Sequence, residues 1–168
     1  MHLLFAANEW EMKETILSKL GQGKHVICDR YAYSGVAYSA AKGLDFDWCQ
    51  GPYRGFVKPD LVFYIDASAE KLAQRSGFGG ERYETEEFQS RVETEFAKFK
   101  TSSIAILKKD FVERLESSET QPERTVPYWV NITADSPDGG KGIDEIEAEI
   151  NLVVKLYQEK VMEKISLD

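Results

Sequence analysis

The sequence predicts an α/β protein, a three-layer α/β/α sandwich with a parallel sheet. Helical and strand-like patterns alternate along the 168 residues, which is typical of chains built from strand–helix–strand units. Residues 25–28 and 61–66 are short and almost entirely apolar, as expected of strands buried in a parallel sheet. A third strand is predicted at 128–132. The hydrophobic content of 42% suffices for one core, so we expect a single domain over residues 1–168.

Helices are predicted where apolar residues recur every three to four positions. One helix covers residues 3–20 and ends at two glycines, a small helix rich in alanine and serine covers 33–42, and a turn or short helix covers 45–50. A further helix is predicted from its capping Ser68 to Gln74. The apolar face of a long helix is predicted from Phe88, Val92, Phe96 and Phe99, with Leu107, Phe111 and Leu115 further on, and that of a final helix from Ile143, Ile146, Ile150, Val154, Tyr157 and Val161.

Composition narrows the possible partners. The net charge of −8 argues against broad binding to nucleic acid or to a membrane surface, although local arginines can still hold a small anion. Cys28 and Cys49 form no metal-ligand spacing with the two histidines. Cys28 is expected to be a core thiol, and free thiols fit a reducing compartment, cytoplasmic or nuclear. No stretch has the roughly 18 apolar residues of a membrane span, and no signal-peptide pattern opens the sequence.

An acid, a base and a phenol follow directly after the first predicted strand, as Asp29, Arg30 and Tyr31. In an open α/β sheet, ligands bind beyond the carboxyl ends of the strands. Asp29 and Arg30 are therefore expected in a crevice that suits a phosphate beside a metal ion or an ordered water. The alternative is a surface ion pair at the end of the strand.

Two glycine-rich segments resemble a phosphate-binding loop without matching one. Residues 21–24 (GQGK) lie between a helix and a strand, which is the wrong order. Residues 138–142 (DGGKG) lie between a strand and a helix, but Asp135 replaces the first glycine of the motif and Gly142 its hydroxyl residue. We interpret this segment as a helix-entry loop, and we find no P-loop in these 168 residues. A third glycine-rich segment, 76–83, predicts a mobile loop.

Four motifs, in order, are similar to those of the thymidylate kinase (dTMP kinase) family, most closely to its eukaryotic branch. They are residues 2–11 (HLLFAANEWE), 29–38 (DRYAYSGVAY), 58–63 (KPDLVF) and 78–84 (FGGERYE). The resemblance covers essentially the whole chain and implies the fold of P-loop nucleoside monophosphate kinases, with a lid at about 76–84. It also implies ATP-dependent phosphorylation of dTMP to dTDP with Mg²⁺. The implied protein is a homodimer that binds small nucleotides and does not bind nucleic acid or membranes.

The resemblance further implies a role for each matching residue. Arg30 would bind the dTMP phosphate, Asp29 would order the water shell of Mg²⁺, and Arg82 would neutralise charge on the transferring phosphoryl group. Phe5 would stack on thymine, and the ring of Tyr38 would disfavour a ribose 2′-hydroxyl. Each aromatic could instead be an ordinary core or surface residue, and each arginine a solvated charge. The residues implied to bind dTMP are Phe5, Asn8, Arg30, Ser34, Gly35, Tyr38, Tyr83 and Gln89, and those implied to reach ATP are Arg75, Arg82 and Asp135.

The sequence departs from the family pattern in three places. The first strand–helix unit with its P-loop is absent, so we expect an N-terminally truncated fold whose strand 25–28 lacks a neighbour. Glu9 stands where an arginine usually helps to read the base, and Tyr53 stands where an acidic residue is usual. One hypothesis is a dTMP kinase whose P-loop unit lies outside these residues, and we expect no turnover from the chain alone. The other is an inactive relative that binds nucleotide or a full-length partner. A solute-binding or redox α/β protein, which would not bind dTMP, is a third interpretation.

Overall fold

A computed structural model describes most of the chain and confirms the α/β class. Its three strands form one parallel sheet, and helices occupy most of the remaining described chain. The structure describes residues 1–68, 85–102, 105–107, 128–136 and 140–165. None of the helices in these stretches is long and apolar enough to span a membrane. The helix predicted over 68–74, the loop over 76–83, Phe111 and Leu115 lie outside the described residues.

The chain divides into two compact units. Unit 1 comprises Met1–Lys58 and Gly79–Ser102, and unit 2 comprises Pro59–Phe78 and Ser103–Asp168. The expectation of a single domain stays a prediction.

All the regular secondary structure in the described part of unit 1 is helical. The predicted helix over 3–20 is two helices that meet at Met12, and Gly23, at φ 71°, follows the second of them. Asp45 caps the start of the short helix Phe46–Gln50, since its side chain accepts a hydrogen bond from the backbone nitrogen of Trp48 at 2.7 Å. The helices are α1 His2–Glu11, α2 Lys13–Gly21, α3 Ala32–Ala40, α4 Phe46–Gln50 and α5 Glu86–Ser102, with a 3-10 turn at Gly51–Tyr53.

The core of unit 1 forms between α3 and α5. Val36, Ala37 and Ala40 are buried on α3, and their small side chains let a neighbouring helix approach closely. Ala41 packs with the buried Phe88 and Val92 of α5, so the predicted apolar face of the long helix is confirmed where it is described.

A buried histidine ties α1 to α3 and α4. The ring nitrogen Nε2 of His2 donates to the backbone carbonyl of Cys49 at 2.9 Å, since a carbonyl only accepts. The other nitrogen, Nδ1, then accepts from the hydroxyl of Ser39 at 2.8 Å. Both polar atoms of the buried ring are thus satisfied, and the start of α1 is fixed against two other helices.

The strand predicted at 25–28 is wrong. Residues 26–28 are not in a strand, and Ile27 is 96% exposed. Cys28 is likewise exposed, so the expectation of a core thiol is also wrong. The physical reason is that a strand forms only against a hydrogen-bonded neighbour, and no described strand pairs with these residues.

Unit 2 contains the sheet, in the order β1–β3–β2. The strands are β1 Leu61–Asp66, β2 Ala105–Leu107 and β3 Tyr128–Thr133, and the helix is α6 Ile143–Ile165. Leu61 pairs with Tyr128 and Asp66 with Thr133 along the parallel β1–β3 ladder. Val130 and Ile132 of β3 and Val153 of α6 form the buried core, against which Phe63 and Ile150 pack.

Three details of this unit correct the sequence-based expectations. The β1 strand is half-buried rather than buried, since no described strand pairs with its other edge. Leu107 lies in β2 instead of extending the α5 face, because α5 ends in hydroxyl residues that compete for backbone hydrogen bonds. Ile143 is 84% exposed because it opens α6, one turn before the helix reaches the core at Ile146.

Candidate functional site

The site is built around Arg30, whose backbone is strained. Its φ is 64°, a left-handed conformation that non-glycine residues adopt rarely and at a cost. The next residue, Tyr31, is extended, and α3 begins at Ala32. The chain therefore bends just before the start of a helix, where Asp29 and Arg30 are both exposed. No ion pair joins these two side chains in the described structure, which argues against the surface ion pair considered above.

The Arg30 guanidinium lies over the ring of Tyr38, with its Cζ 5.3 Å from the ring centroid. A cation over an aromatic face is attracted by the ring quadrupole. Tyr38 in turn packs against Phe88 of α5, with the ring centroids 6.0 Å apart. The guanidinium of Arg30 is thus held by a ring that is itself fixed by the core of unit 1.

An aromatic cluster of Tyr31, Phe56 and Trp10 packs next to the start of α3. The hydroxyl of Tyr31 donates to the carbonyl of Val57 at 2.6 Å, and its ring stacks on Phe56 at a centroid distance of 5.2 Å. Trp10 of α1 contacts Phe56 and donates from its indole to the carbonyl of Pro52 at 2.7 Å. Burial, followed by the nearby charges of Cys28 and Glu9, raises the pKa of Tyr31, so this hydroxyl stays a donor.

Two members of this cluster were anticipated and one was not. Tyr31 lies in the motif over 29–38, and Trp10 lies on the apolar face of the helix predicted over 3–20, but Phe56 lies in a loop where no periodic pattern marks it. The signal that could have indicated Phe56 is local, since Tyr53 and Val57 are also apolar or aromatic in the same short loop. His2 carried no such signal.

The phenol of Tyr53 reaches between α1 and α3. Its hydroxyl lies against the backbone of Gly35, where an added Cβ would clash with the hydroxyl oxygen and approach the ring carbon Cζ to 3.3 Å. The same hydroxyl donates a long hydrogen bond of 3.5 Å to Oε1 of Glu9. The two residues that depart from the family pattern, Glu9 and Tyr53, therefore contact each other.

The Glu9 carboxyl is incompletely satisfied. Its Oε2 atom is buried and has no hydrogen-bond partner among the described residues. Burial raises the pKa of the carboxyl, and the hydrogen bond from Tyr53 opposes that shift. A buried acceptor without a donor costs free energy, and here no N–H or O–H group of the described residues reaches Oε2.

The remaining sequence-predicted residues of unit 1 lie on three helices. Phe5 and Asn8 are exposed on α1, which packs against α3. Ser34 lies in the first turn of α3, where its backbone nitrogen donates to the carbonyl of Tyr31 at 2.8 Å. Gln89 lies in the first turn of α5, the helix that also packs against α3.

Asp135 lies in unit 2, where it joins two loops. Its Oδ2 accepts from the backbone nitrogen of Ser68 at 2.9 Å, so it links the segments that follow the carboxyl ends of β1 and β3. This is the edge of a parallel sheet at which ligands bind. The nearby Gly142 donates to Oε2 of Glu145 at 2.7 Å at the start of α6, as expected of a helix-entry loop.

The structure thus places all the described residues implied to bind dTMP in unit 1, and the described residue implied to bind ATP in unit 2. Arg75, Arg82 and Tyr83 lie outside the described residues. The described parts of the chain contain no cluster of three or more histidine, cysteine, aspartate or glutamate side chains that could coordinate a metal. A single carboxylate such as Asp29 is compatible with Mg²⁺, because this ion keeps most of its water shell when it binds to proteins.

Comparison with known proteins identifies the relatives of this chain. A family model described as thymidylate kinase matches residues 1–123. The chain is 53% identical over 92 residues to the thymidylate kinase of Dictyostelium discoideum, covering 55% of this chain and 41% of that relative. It is 46% identical over 122 residues to the thymidylate kinase of Arabidopsis thaliana, covering 72% of this chain and 46% of the relative. The chain therefore spans less than half the length of these two curated relatives.

A solved structure is similar over nearly the whole chain. The thymidylate kinase from Candida albicans superposes with a TM-score of 0.61 at 26% sequence identity. The match covers 97% of this chain and 66% of the Candida chain. The predicted fold family is therefore confirmed by both sequence and structure.

Proposed function

Because the chain belongs to the thymidylate kinase family, we propose that it serves the ATP-dependent phosphorylation of dTMP to dTDP and that these 168 residues carry the dTMP site. The observation that carries this proposal is the strained backbone of Arg30. Strain at a non-glycine residue persists where the surrounding structure holds it, and such residues cluster at functional sites.

Arg30 would hold the dTMP phosphate. Its guanidinium offers paired donors that match phosphate oxygens, and Tyr38 beneath it restricts where those donors point. Phosphoryl transfer depends mainly on positioning and on neutralising charge, which an arginine held in this way supplies. Ser34 and Gly35 lie in the first helical turn beside Arg30, where they would line the same pocket.

The base would lie against α1. Phe5 is 56% exposed on that helix, so its ring is available to stack on thymine, a contact worth about 1–3 kcal/mol. Asn8 is exposed one turn further along. Tyr83 and Gln89 would face dTMP from the lid and from α5.

The donor nucleotide and the metal complete the proposal. Arg75, Arg82 and Asp135 would contact ATP, with Arg82 neutralising charge on the transferring group. Asp29 would hold Mg²⁺ through ordered water, and the bound ion would supply positive charge that offsets the charge of the phosphates. Exposed leucines on α1 and α2, among them Leu3 and Leu4, support a homodimer. The two free cysteines support a cytoplasmic or nuclear location.

The role of Arg30 is tested by comparing dTMP with thymidine, which lacks the phosphate. Calorimetry of the 168-residue chain without ATP should show saturable binding of dTMP and weaker binding of thymidine. Arg30→Ala should weaken dTMP binding by about tenfold or more, the effect of a lost charge-assisted hydrogen bond, and leave thymidine binding unchanged.

Arg54→Ala is the matched control, since Arg54 is exposed and lies outside the site. It should leave both affinities as they are. If the chain bound thymidine and dTMP equally, or if Arg30→Ala weakened both ligands alike, the phosphate role of Arg30 would be wrong.

A further inference from the structure

The strained backbone of Arg30 is anchored through the residue that follows it, Tyr31. The carbonyl of Tyr31 accepts a hydrogen bond from the backbone nitrogen of Ser34 at 2.8 Å, which fixes the residue to the first turn of α3. Its own backbone is extended, with φ −159°. Its hydroxyl donates to the carbonyl of Val57 at 2.6 Å, 26 residues further along the chain. Both the backbone and the side chain of Tyr31 are therefore held.

The segment that receives the Tyr31 side chain is itself packed. The rings of Tyr31 and Phe56 lie 29° from parallel, with centroids 5.2 Å apart. Phe56 also contacts Trp10 of α1 at a centroid distance of 5.2 Å, and its backbone nitrogen donates to the carbonyl of Tyr53 at 3.0 Å. A stacked ring and a short hydrogen bond together restrict both the position and the direction of a side chain.

The left-handed conformation of Arg30 needs such an anchor. A non-glycine residue keeps a positive φ only where the surrounding structure holds it. Arg30 itself is exposed, and so is Asp29 before it, so the hold comes from Tyr31 after it and from the ring of Tyr38 under its guanidinium. Relaxation of Arg30 to a negative φ would turn its side chain relative to α3 and away from that ring.

We propose that Tyr31 is a positioning residue that acts through Arg30 on the phosphate of the bound nucleotide. Its contacts with Val57 and Phe56 hold the backbone of Arg30 in the left-handed conformation. The guanidinium then stays over Tyr38, with its donors directed at one place. This inference rests on the proposed function, in which Arg30 binds the dTMP phosphate. It adds that the segment at 56–57 controls the strength of that contact from a distance.

Tyr31→Phe is the decisive variant because it removes the hydrogen bond to Val57 and keeps the ring that stacks on Phe56. The dissociation constant of the 168-residue chain for dTMP should rise about three- to tenfold, the effect of one lost hydrogen bond. The dissociation constant for thymidine, which lacks the phosphate, should stay unchanged. Tyr157→Phe is the matched control: it removes a tyrosine hydroxyl 3.3 Å from Asp60 in unit 2 and should change neither value.

The conformation of Arg30 is measured separately, without ligand. The nuclear Overhauser effect between the amide proton and the α-proton of one residue is strong at a left-handed φ, since the two protons then lie close together. We expect a strong effect for Arg30 in the unaltered chain and a weaker one in Tyr31→Phe. Phe56→Leu, which removes the stacked ring, should weaken it as well and lower the preference for dTMP over thymidine.

The outcomes separate the inference from the proposed function. If the unaltered chain binds dTMP, the positioning role is overturned when Tyr31→Phe leaves the dTMP affinity or the Arg30 Overhauser effect unchanged. It is also overturned when this variant weakens dTMP and thymidine alike, because Tyr31 then supports only the fold. If the unaltered chain binds no dTMP at all, the proposed function fails, and the role of Tyr31 toward the phosphate fails with it.

Discussion

At the scale of single residues, the contact between Gly35 and Tyr53 determines how closely the Gly-Pro-Tyr segment approaches α3. An alanine normally stabilises a helix relative to glycine by about 0.5–1 kcal/mol. Here we expect Gly35→Ala to lower the melting temperature instead, because the new Cβ would meet the Tyr53 hydroxyl.

Tyr53→Phe provides the matched rescue for that substitution. Removing the hydroxyl leaves the nearest ring carbon at 3.3 Å from the added Cβ, which a small shift accommodates. The double variant should therefore melt at a higher temperature than Gly35→Ala alone. Equal destabilisation in both backgrounds would show that Tyr53 does not occupy this position.

Glu9 should make the stability of the chain depend on pH. Because burial raises the pKa of its carboxyl in the folded state, the folded chain holds this proton more tightly than the unfolded chain. The stabilisation is therefore complete below the unfolded pKa of about 4.5 and is lost as the pH rises through the higher folded value.

Glu9→Gln removes this titration and keeps the side-chain shape. The melting temperature of the variant relative to the unaltered chain should increase between about pH 4 and pH 8, with Glu11→Gln as a control. A difference that stays constant over this range would contradict the placement of Glu9.

At the scale of helices, α1 is held by the hydrogen bonds of His2 to Ser39 and to the Cys49 carbonyl. We expect His2→Phe to destabilise the chain by about 1–3 kcal/mol, since it leaves a buried carbonyl without a donor. Ser39→Ala removes only the hydrogen bond from the Ser39 hydroxyl to His2 and should cost less. Urea unfolding measures both, and a smaller loss for His2→Phe than for Ser39→Ala would contradict this arrangement.

Helices and strands differ in how far the sequence determines them. The face of α5 with Phe88 and Val92 could be predicted from spacing alone, because a helix makes its backbone hydrogen bonds within itself. The run at 26–28 has the composition of a buried strand and is exposed, because a strand depends on a neighbour that its own residues do not encode. β2 was missed because three residues carry too short a pattern.

The candidate site shows the same division. The positions of Arg30 and Tyr38 at one helix start could be expected because both lie in a continuous motif, whereas their roles toward dTMP stay predictions. The Glu9–Tyr53 contact could not be expected, since it joins residues 44 apart in sequence through packing that no local pattern shows. The lid residues Arg82 and Tyr83 stay predictions.

At the scale of the whole molecule, binding and catalysis should separate. The described residues proposed to bind dTMP lie in unit 1, whereas phosphoryl transfer in this fold also needs a P-loop to cradle the ATP phosphates. We expect the 168-residue chain to bind dTMP without ATP-dependent turnover in a coupled assay. Turnover at the rate of an ordinary kinase, about 1–100 per second, would contradict this expectation.

The most direct measurement is the location of bound dTMP on this chain. In ¹⁵N–¹H correlation spectra, adding dTMP should shift the backbone amides near Phe5, Arg30 and Tyr38 in unit 1, and thymidine should shift those near Arg30 much less. Shifts confined to unit 2, or no shifts at saturating dTMP, would contradict a dTMP site built on Arg30.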